Sequence, residues 1–379
     1  MNGVIMLVNE FPPLPVGGAE RQAERLSGYL AARGWPVWVL TRRIGNLPAH
    51  ETRAGMQIIR PVTRGPGKLQ TISFVLGCMQ TLWTLRKEYS ILHAHLAFGP
   101  AFAAALSARL LGKKVIVKLG NSGKFGDILA SMATWRGRLR LTVLRRWADI
   151  IIALDDTMVS EAISAGFDPQ RIVRMNNGID AMAFAPAEND KIKTESTRQL
   201  VNILYVGRLT AQKSLPILLD ALTLALPACP ALHLTLVGDG EERSTLEAQA
   251  ARLGIAGNVT FSGAQQDVRP FLRNADIFAL PSAAEGISNA LLEAMSAGLA
   301  CLATPVGGNA WVLDQGQCGT ILPHGDIQAW SSALTSLGND PAERLRLGNA
   351  ARQRILTVFD FSVVGAQYEA LYNKLLSIN

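Results

Sequence analysis

The sequence is short of the features that mark several broad classes of protein. Its four cysteines, Cys78, Cys229, Cys301 and Cys318, form no C-x-x-C pair and show no metal-ligand spacing. A disulfide scaffold and a zinc ribbon are excluded, and the thiols read as reduced and mostly buried. No stretch reaches the ~20 uninterrupted apolar residues that span a bilayer. The best candidates, Thr71 to Leu85 and Ala97 to Leu111, are too short or carry Arg109, and both read as buried helices. The opening MNGVIMLVNEF lacks a basic leader and meets Glu10 early, so no signal peptide and a cytoplasmic location are expected. There is no short repeat or low-complexity tract, no D-x-D motif to hold a divalent ion against a diphosphate, and no G-x-x-x-x-G-K-[ST] loop.

What is present is hydrophobic residue in quantity, 49% of 379 residues, enough for two cores. Apolar runs of four to eight residues alternate with longer amphipathic segments from the start, the pattern of βαβ units around a parallel sheet. Strands are expected near Val4–Val8, Val37–Leu40, Ile91–His95, Val115–Leu119, Ile150–Leu154 and Ile172–Met175. A second series is expected near Ile203–Val206, Leu232–Val237, Val259–Phe261, Ile277–Leu280 and Cys301–Thr304. Between the series, APAENDKIKTESTRQ is polar and aperiodic. The expected architecture is α/β: two Rossmann-like doubly wound domains, residues 1–185 and 200–360, joined by a linker at 186–199 and facing across a cleft that receives ligands at the strand carboxyl ends. The end of the chain, from Pro341 to Leu376, is helical in pattern, with 361–379 expected to pack back on the first domain.

Charge is unevenly spread. Residues 1–185 hold 23 Lys and Arg against 12 Asp and Glu, a net of +11, while the remainder holds 14 against 18, a net of −4. The asymmetry favours an anionic partner for the first half. Part of it lies in WRGRLRLTVLRRW, residues 135–147, where Arg138, Arg140, Arg145 and Arg146 stand among leucines with a tryptophan at each end. This reads as an interfacial helix on an anionic membrane.

The most informative segment is PSAAEGISNALLEAM, residues 281–295. A strand ends, a short loop carries Glu285 and Gly286, and a helix opens with Ser288 as N-cap. Backbone N–H groups around Ile287, Ser288 and Asn289 make a cradle for a phosphate oxygen. Glu293, inside the helix among apolar neighbours, can accept from two vicinal ribose hydroxyls, and Glu285 can bind sugar hydroxyls. A paired-carboxylate glycosidase fits less well, since eight helical residues span ~12 Å against the ~5–9.5 Å such pairs need. Val237-Gly-Asp-Gly240 ends a strand, so the backbone at Gly238 can approach a base or diphosphate. As a dinucleotide fingerprint it fails, because Arg243 occupies the third glycine position. In the first half, Lys118, Asn121 and Lys124 belong to a basic, glycine-spaced stretch after a strand, suited to a phosphorylated acceptor. His93 and His95 are expected on opposite faces of their strand, one packed and His95 reaching its carboxyl end.

Glu285 and Glu293 with seven residues between them, followed by AMSAG and TPVGGN, resemble the nucleotide-sugar signature of glycosyltransferase family 4. The resemblance extends along the chain through VNEFPPLPVGGAE, LHAH at 92–95, NNGID at 176–180, VGRL followed by Lys213, and VGDGEE at 237–242. It implies a GT-B fold with an acceptor domain first and a nucleotide-sugar domain second. It implies further that Arg208 and Lys213 hold the donor diphosphate, that Gly17 and Gly18 approach its β-phosphate, and that His95 lies near the donor sugar. Retaining, metal-independent transfer from a UDP- or GDP-linked sugar follows, with no cofactor. The expected partners are a glycan or lipid-linked acceptor and the anionic inner membrane surface, with no nucleic acid. Two other readings share the architecture: a nucleotide-sugar epimerase or hydrolase, and a noncatalytic nucleotide-sugar-binding subunit. The sequence departs from the family pattern at Trp311, where a glutamate is common, and after Lys118, where a histidine-glycine pair is common.

Overall fold

The computed structural model describes residues 3–14, 17–65, 67–123, 126–186 and 200–377. They form two compact units, one of residues 1–178 with 361–379, the other of residues 179–360. Residues 179–185 therefore belong with the second unit, and most of the expected linker, 187–199, lies outside the described residues, as does Lys124.

The first unit is built on eight strands: β1 (Gly3–Leu7), β2 (Val37–Leu40), β3 (His50–Arg53), β4 (Met56–Ile59), β5 (Tyr89–His95), β6 (Lys114–Lys118), β7 (Ile150–Ala153) and β8 (Ile172–Arg174). Their order is β3-β4-β2-β1-β5-β6-β7-β8, parallel except where β3 turns back on β4. The central strands are buried on both faces, which is why they read as continuous apolar runs. The β3–β4 hairpin was not expected from the sequence. Strand β3, His-Glu-Thr-Arg, sits at the sheet edge half exposed and carries no apolar run.

Helices α1 (Gly18–Ala32), α2 (Lys68–Thr84), α3 (Gly99–Leu111), α4 (Asp127–Met132), α5 (Trp135–Trp147) and α6 (Asp156–Ser164) connect these strands. In the contact pattern α2 packs on α3 and α3 on α5, so these three form one helical layer. The C-terminal helix Phe361–Ser377 belongs to this unit too, packed on α1. Phe361 lies 5.6 Å from the ring of Tyr29, and the Trp35 indole N–H donates to Glu369 at 2.9 Å. The helix approaches closely because Gly365 has no side chain: a Cβ there would stand 2.6 Å from the Tyr29 ring.

The second unit has six parallel strands in the order β11-β10-β9-β12-β13-β14. They are β9 (Val201–Val206), β10 (Leu232–Val237), β11 (Val259–Gly263), β12 (Ile277–Leu280), β13 (Ala300–Ala303) and the short β14 (Thr320–Ile321). Strand order reverses between β9 and β12, and such a switch point is where doubly wound sheets bind ligands, at the strand carboxyl ends.

Candidate functional site

In the second unit the loops leaving β9 and β10 touch backbone to backbone, and so do those leaving β12 and β13. Gly238 has φ 141°, and a Cβ there would run into the carbonyl of Gly207; Gly307, at φ 55°, meets the carbonyl of Glu285 in the same way. No other residue type fits either place. Hydrogen bonds lace the loops together: Gly207 N–H donates to Val237 O at 3.0 Å, Ala283 N–H to Gln212 O at 2.8 Å, and Gly308 N–H to Gly286 O at 2.8 Å.

This lacing brings Lys213 to Glu285. The Lys213 ammonium is 2.6 Å from Glu285 Oε1, and the buried Ser282 hydroxyl donates to the same oxygen at 2.7 Å. Glu285 is 6% exposed. Its other oxygen, Oε2, accepts from no protein donor among the described residues. Arg208, exposed, makes no side-chain ion pair among the described residues. Its carbonyl accepts from the Tyr205 hydroxyl at 3.0 Å, an inside strut for the loop. Burial, reinforced by the nearby charge of Glu285, pushes the Tyr205 pKa well above its ordinary value.

Ser288 caps the helix Asn289–Ser296, its hydroxyl accepting from Leu291 N–H at 3.3 Å. Ile287, Ser288 and Glu293 are buried and Asn289 half-buried. The first-turn amides carry the partial positive charge of a helix start. The unit thus gathers cationic groups suited to a diphosphate and carboxylate oxygens suited to hydroxyls. Sequence reasoning named the glutamates and the basic pair but missed Ser282 and Tyr205. Ser282 opens the loop three residues before Glu285, and that short spacing is the signal that could have found it.

In the first unit Gly17 is the N-cap of α1 and Gly18 its first residue, with no side-chain cap. At the carboxyl ends of β5 and β6, His93, His95, Lys118 and Asn177 are buried together with Tyr368 and Tyr372 of the C-terminal helix. The two histidines do not point to opposite faces as expected. Side chains two apart on a strand share a face, and their rings stack with centroids 4.5 Å apart. His93 Nδ1 is 2.6 Å from the Tyr372 hydroxyl, whereas neither ring nitrogen of His95 has a partner among the described residues. Burial lowers His93 to about 3 and, aided by His93 and Lys118, holds His95 well below its ordinary value.

Lys118 is not on an exposed loop. It is the last residue of β6, buried, and donates to Asn177 Oδ1 at 2.8 Å, with burial lowering its pKa to about 7. Asn121 is half-buried on the loop that follows. That loop is organised by Asp127, which accepts from Gly120 N–H at 2.9 Å and Ala97 N–H at 3.3 Å, and which burial raises to about 6.

The arginines of α5 divide. Arg138, Arg145 and Arg146 are exposed. Arg140 turns inward, donating to Ser131 Oγ at 2.6 Å with its guanidinium 5.2 Å from the Phe98 ring, and Arg145 donates to Ala165 O at 2.9 Å. The helix is anchored by Leu141 and Leu144, so not all four arginines are available to a surface.

Two doubly wound α/β units, with candidate ligand groups on the loops at strand carboxyl ends, define a glycosyltransferase of GT-B type. Residues 16–182 match the model for Glycosyltransferase Family 4, and residues 187–354 match that for Glycosyl transferases group 1. The chain belongs to the family-4 glycosyltransferases. N-acetyl-alpha-D-glucosaminyl L-malate synthase of Bacillus anthracis is 25% identical over 294 residues, 77% of this chain and 76% of that one. The lipopolysaccharide core biosynthesis glycosyltransferase LpsE of Rhizobium meliloti is 29% identical over 179 residues, 47% of this chain and only 52% of that relative. Among solved structures, Anabaena HepE in complex with UDP-glucose superposes with a TM-score of 0.79 at 21% identity, covering 99% of each chain.

Proposed function

We propose that this glycosyltransferase moves a hexose from a UDP- or GDP-linked sugar to an acceptor hydroxyl with retention of configuration and without a metal ion or other cofactor. The acceptor is a lipid-linked glycan in envelope or exopolysaccharide assembly, and the enzyme works as a peripheral protein on the inner face of the membrane. The observation that carries the donor reading is the Lys213–Glu285–Ser282 arrangement, in loops laced to the strand ends that also carry exposed Arg208 and the Ser288-capped helix. The named activities of the LpsE relative and the UDP-glucose complex of the HepE neighbour point the same way.

In this reading Arg208, Lys213 and the helix start bind the diphosphate and stabilise the charge that grows as the bond from the anomeric carbon to the β-phosphate oxygen breaks. Glu293 accepts from the ribose hydroxyls, and Glu285 holds the sugar through Oε2. Gly17, Gly18 and Gly238 let backbone come close to the diphosphate or base. His95, kept neutral, lies beside the sugar, while Lys118 and Asn121 belong to the acceptor side. The acceptor oxygen bonds to the anomeric carbon from the face the nucleotide leaves, and its proton passes to the departing β-phosphate oxygen. Arg138 and Arg146 face an anionic leaflet. No helix among the described residues is long and apolar enough to cross a membrane.

Arg208→Ala, Lys213→Ala and Glu293→Ala are each expected to reduce transfer about 10²–10³-fold, an effect of about 2.7–4 kcal/mol, with excess EDTA leaving the wild type unchanged. Proton NMR of the product is expected to show the donor's anomeric configuration. Near-wild-type rates in all three variants would refute the donor site, and abolition by EDTA or an inverted product would refute the chemistry.

A further inference from the structure

Helix α2 was expected to be buried, and one of its faces is not. Leu69, Ile72, Leu76 and Trp83 are 62%, 56%, 60% and 57% exposed. At 3.6 residues per turn, these four and half-buried Met79 fall within about 80° around the helix axis, a single stripe running along a helix of about 25 Å. Phe74, Cys78 and Leu82, which anchor the helix on the unit, point roughly 140° away. The helix is apolar on two separate faces, and no residue from Leu69 to Leu85 is charged. A water-facing helix surface ordinarily carries charge, and a contiguous exposed apolar stripe marks a surface that something covers.

The charge around the stripe says what covers it. Residues 61–148, which supply the α2–α3–α5 layer, hold 14 Lys and Arg against 2 Asp and Glu, and one of those acids is the buried Asp127. Arg64 and Lys68 precede the stripe and Arg86 and Lys87 follow it, with the Arg86 guanidinium 5.1 Å from the Trp83 ring. At the end of α3, beside exposed Leu110, a hollow of about 460 Å³ is lined by Arg109, Lys113, Arg146 and Arg171, with Asp149 the one acid. On α4 and α5, Met132, Trp135 and Leu139 add further exposed apolar surface to the same layer. A second copy of so basic a face would be repelled. An anionic bilayer supplies both what the stripe needs, an apolar interior, and what the arginines and lysines need, phosphate head groups.

We propose that α2 is the membrane-inserting element of this enzyme: it lies in the plane of an anionic leaflet with Leu69, Ile72, Leu76 and Trp83 below the head groups, while Arg138 and Arg146 of α5 contribute charge alone. The inference rests on the membrane attachment proposed above and assigns the part of the molecule that performs it.

The test uses the full chain with an environment-sensitive fluorophore on Leu76→Cys, and on Ala32→Cys of α1 as control; the four native cysteines are buried. Each is mixed with phosphatidylcholine vesicles with and without phosphatidylglycerol, and sedimentation is measured in parallel, including for Ile72→Asp/Leu76→Asp and for Arg138→Gln/Arg146→Gln. Expected are a blue shift at position 76 and none at 32, only with phosphatidylglycerol, and about tenfold weaker vesicle binding for the aspartate variant at every salt concentration. The glutamine variant should weaken binding mainly at low salt while keeping the blue shift. Salt-sensitive sedimentation without a shift at position 76 would overturn the role of α2 and leave membrane attachment standing. No sedimentation at low salt would overturn both. A shift that grows with protein concentration in the absence of vesicles would show a second copy on the stripe and overturn the proposal.

Discussion

Burial gives the individual residues of both units their chemical character. Glu285 is 6% exposed, and Lys213 and Ser282 both donate to its Oε1. Burial and the nearby Lys118 keep His93 and His95 neutral. Their lowered values fix the sign of a pH effect. As pH falls through about 6.5 the unfolded imidazoles take up protons and the native ones do not, so stability present above that pH is lost below it, by about 1.4 kcal/mol per pH unit for each histidine. Asp127, raised to about 6, acts the other way between about 4 and 6, and Lys118, lowered to about 7, adds stability as pH rises above 7. Urea unfolding of the wild type and of His95→Asn at neutral and mildly acidic pH is expected to show a shallower acid loss in the variant, by about one histidine's share. Equal slopes would mean that His95 titrates normally in the native state.

Among the elements, what could be read from sequence is what burial on two faces makes legible. Strands β2, β10 and β12 fall where the apolar runs placed them, and the other expected strands differ by a residue or two at their ends, whereas the two-residue β14 was not expected. The hairpin of β3 and β4 was invisible because its edge strand has no hydrophobic period to read. The error in α2 has a different cause: an apolar composition says that surface is to be removed from water, not whether protein or another phase removes it. Lys213 and Glu285, which the structure joins at 2.6 Å, were legible through the order of the motifs along the chain. Tyr372 was not, since it meets His93 across 279 residues of sequence.

The return of the C-terminal helix depends on a single missing side chain. Gly365→Val would place its Cβ 2.6 Å from the Tyr29 ring, an overpacking expected to cost about 1–3 kcal/mol. The measurement is the thermal midpoint, which should fall clearly; an unchanged midpoint would mean that this helix does not pack on α1 as described.

At the scale of the whole molecule, charge and chemistry are divided between the units. The positive excess lies in the first half of the chain, +11 against −4 in the remainder, and residues 61–148, which include α2, hold 14 Lys and Arg against 2 Asp and Glu. The groups proposed to recognise the nucleotide, Arg208, Lys213 and Glu293, lie in the second unit. On the proposed division of attachment from donor binding, neutralising the first unit's arginines should leave the affinity for nucleotide intact.

The most direct measurement is a calorimetric titration of UDP and of GDP into the full chain in buffer containing EDTA, with wild type, Arg208→Ala and Glu293→Gln compared. One of the two nucleotides is expected to bind the wild type, and each substitution is expected to weaken that binding at least about tenfold, the loss of one charge-assisted contact. Binding that requires a divalent ion, or that is the same in all three proteins, would contradict the placement of the donor in these loops.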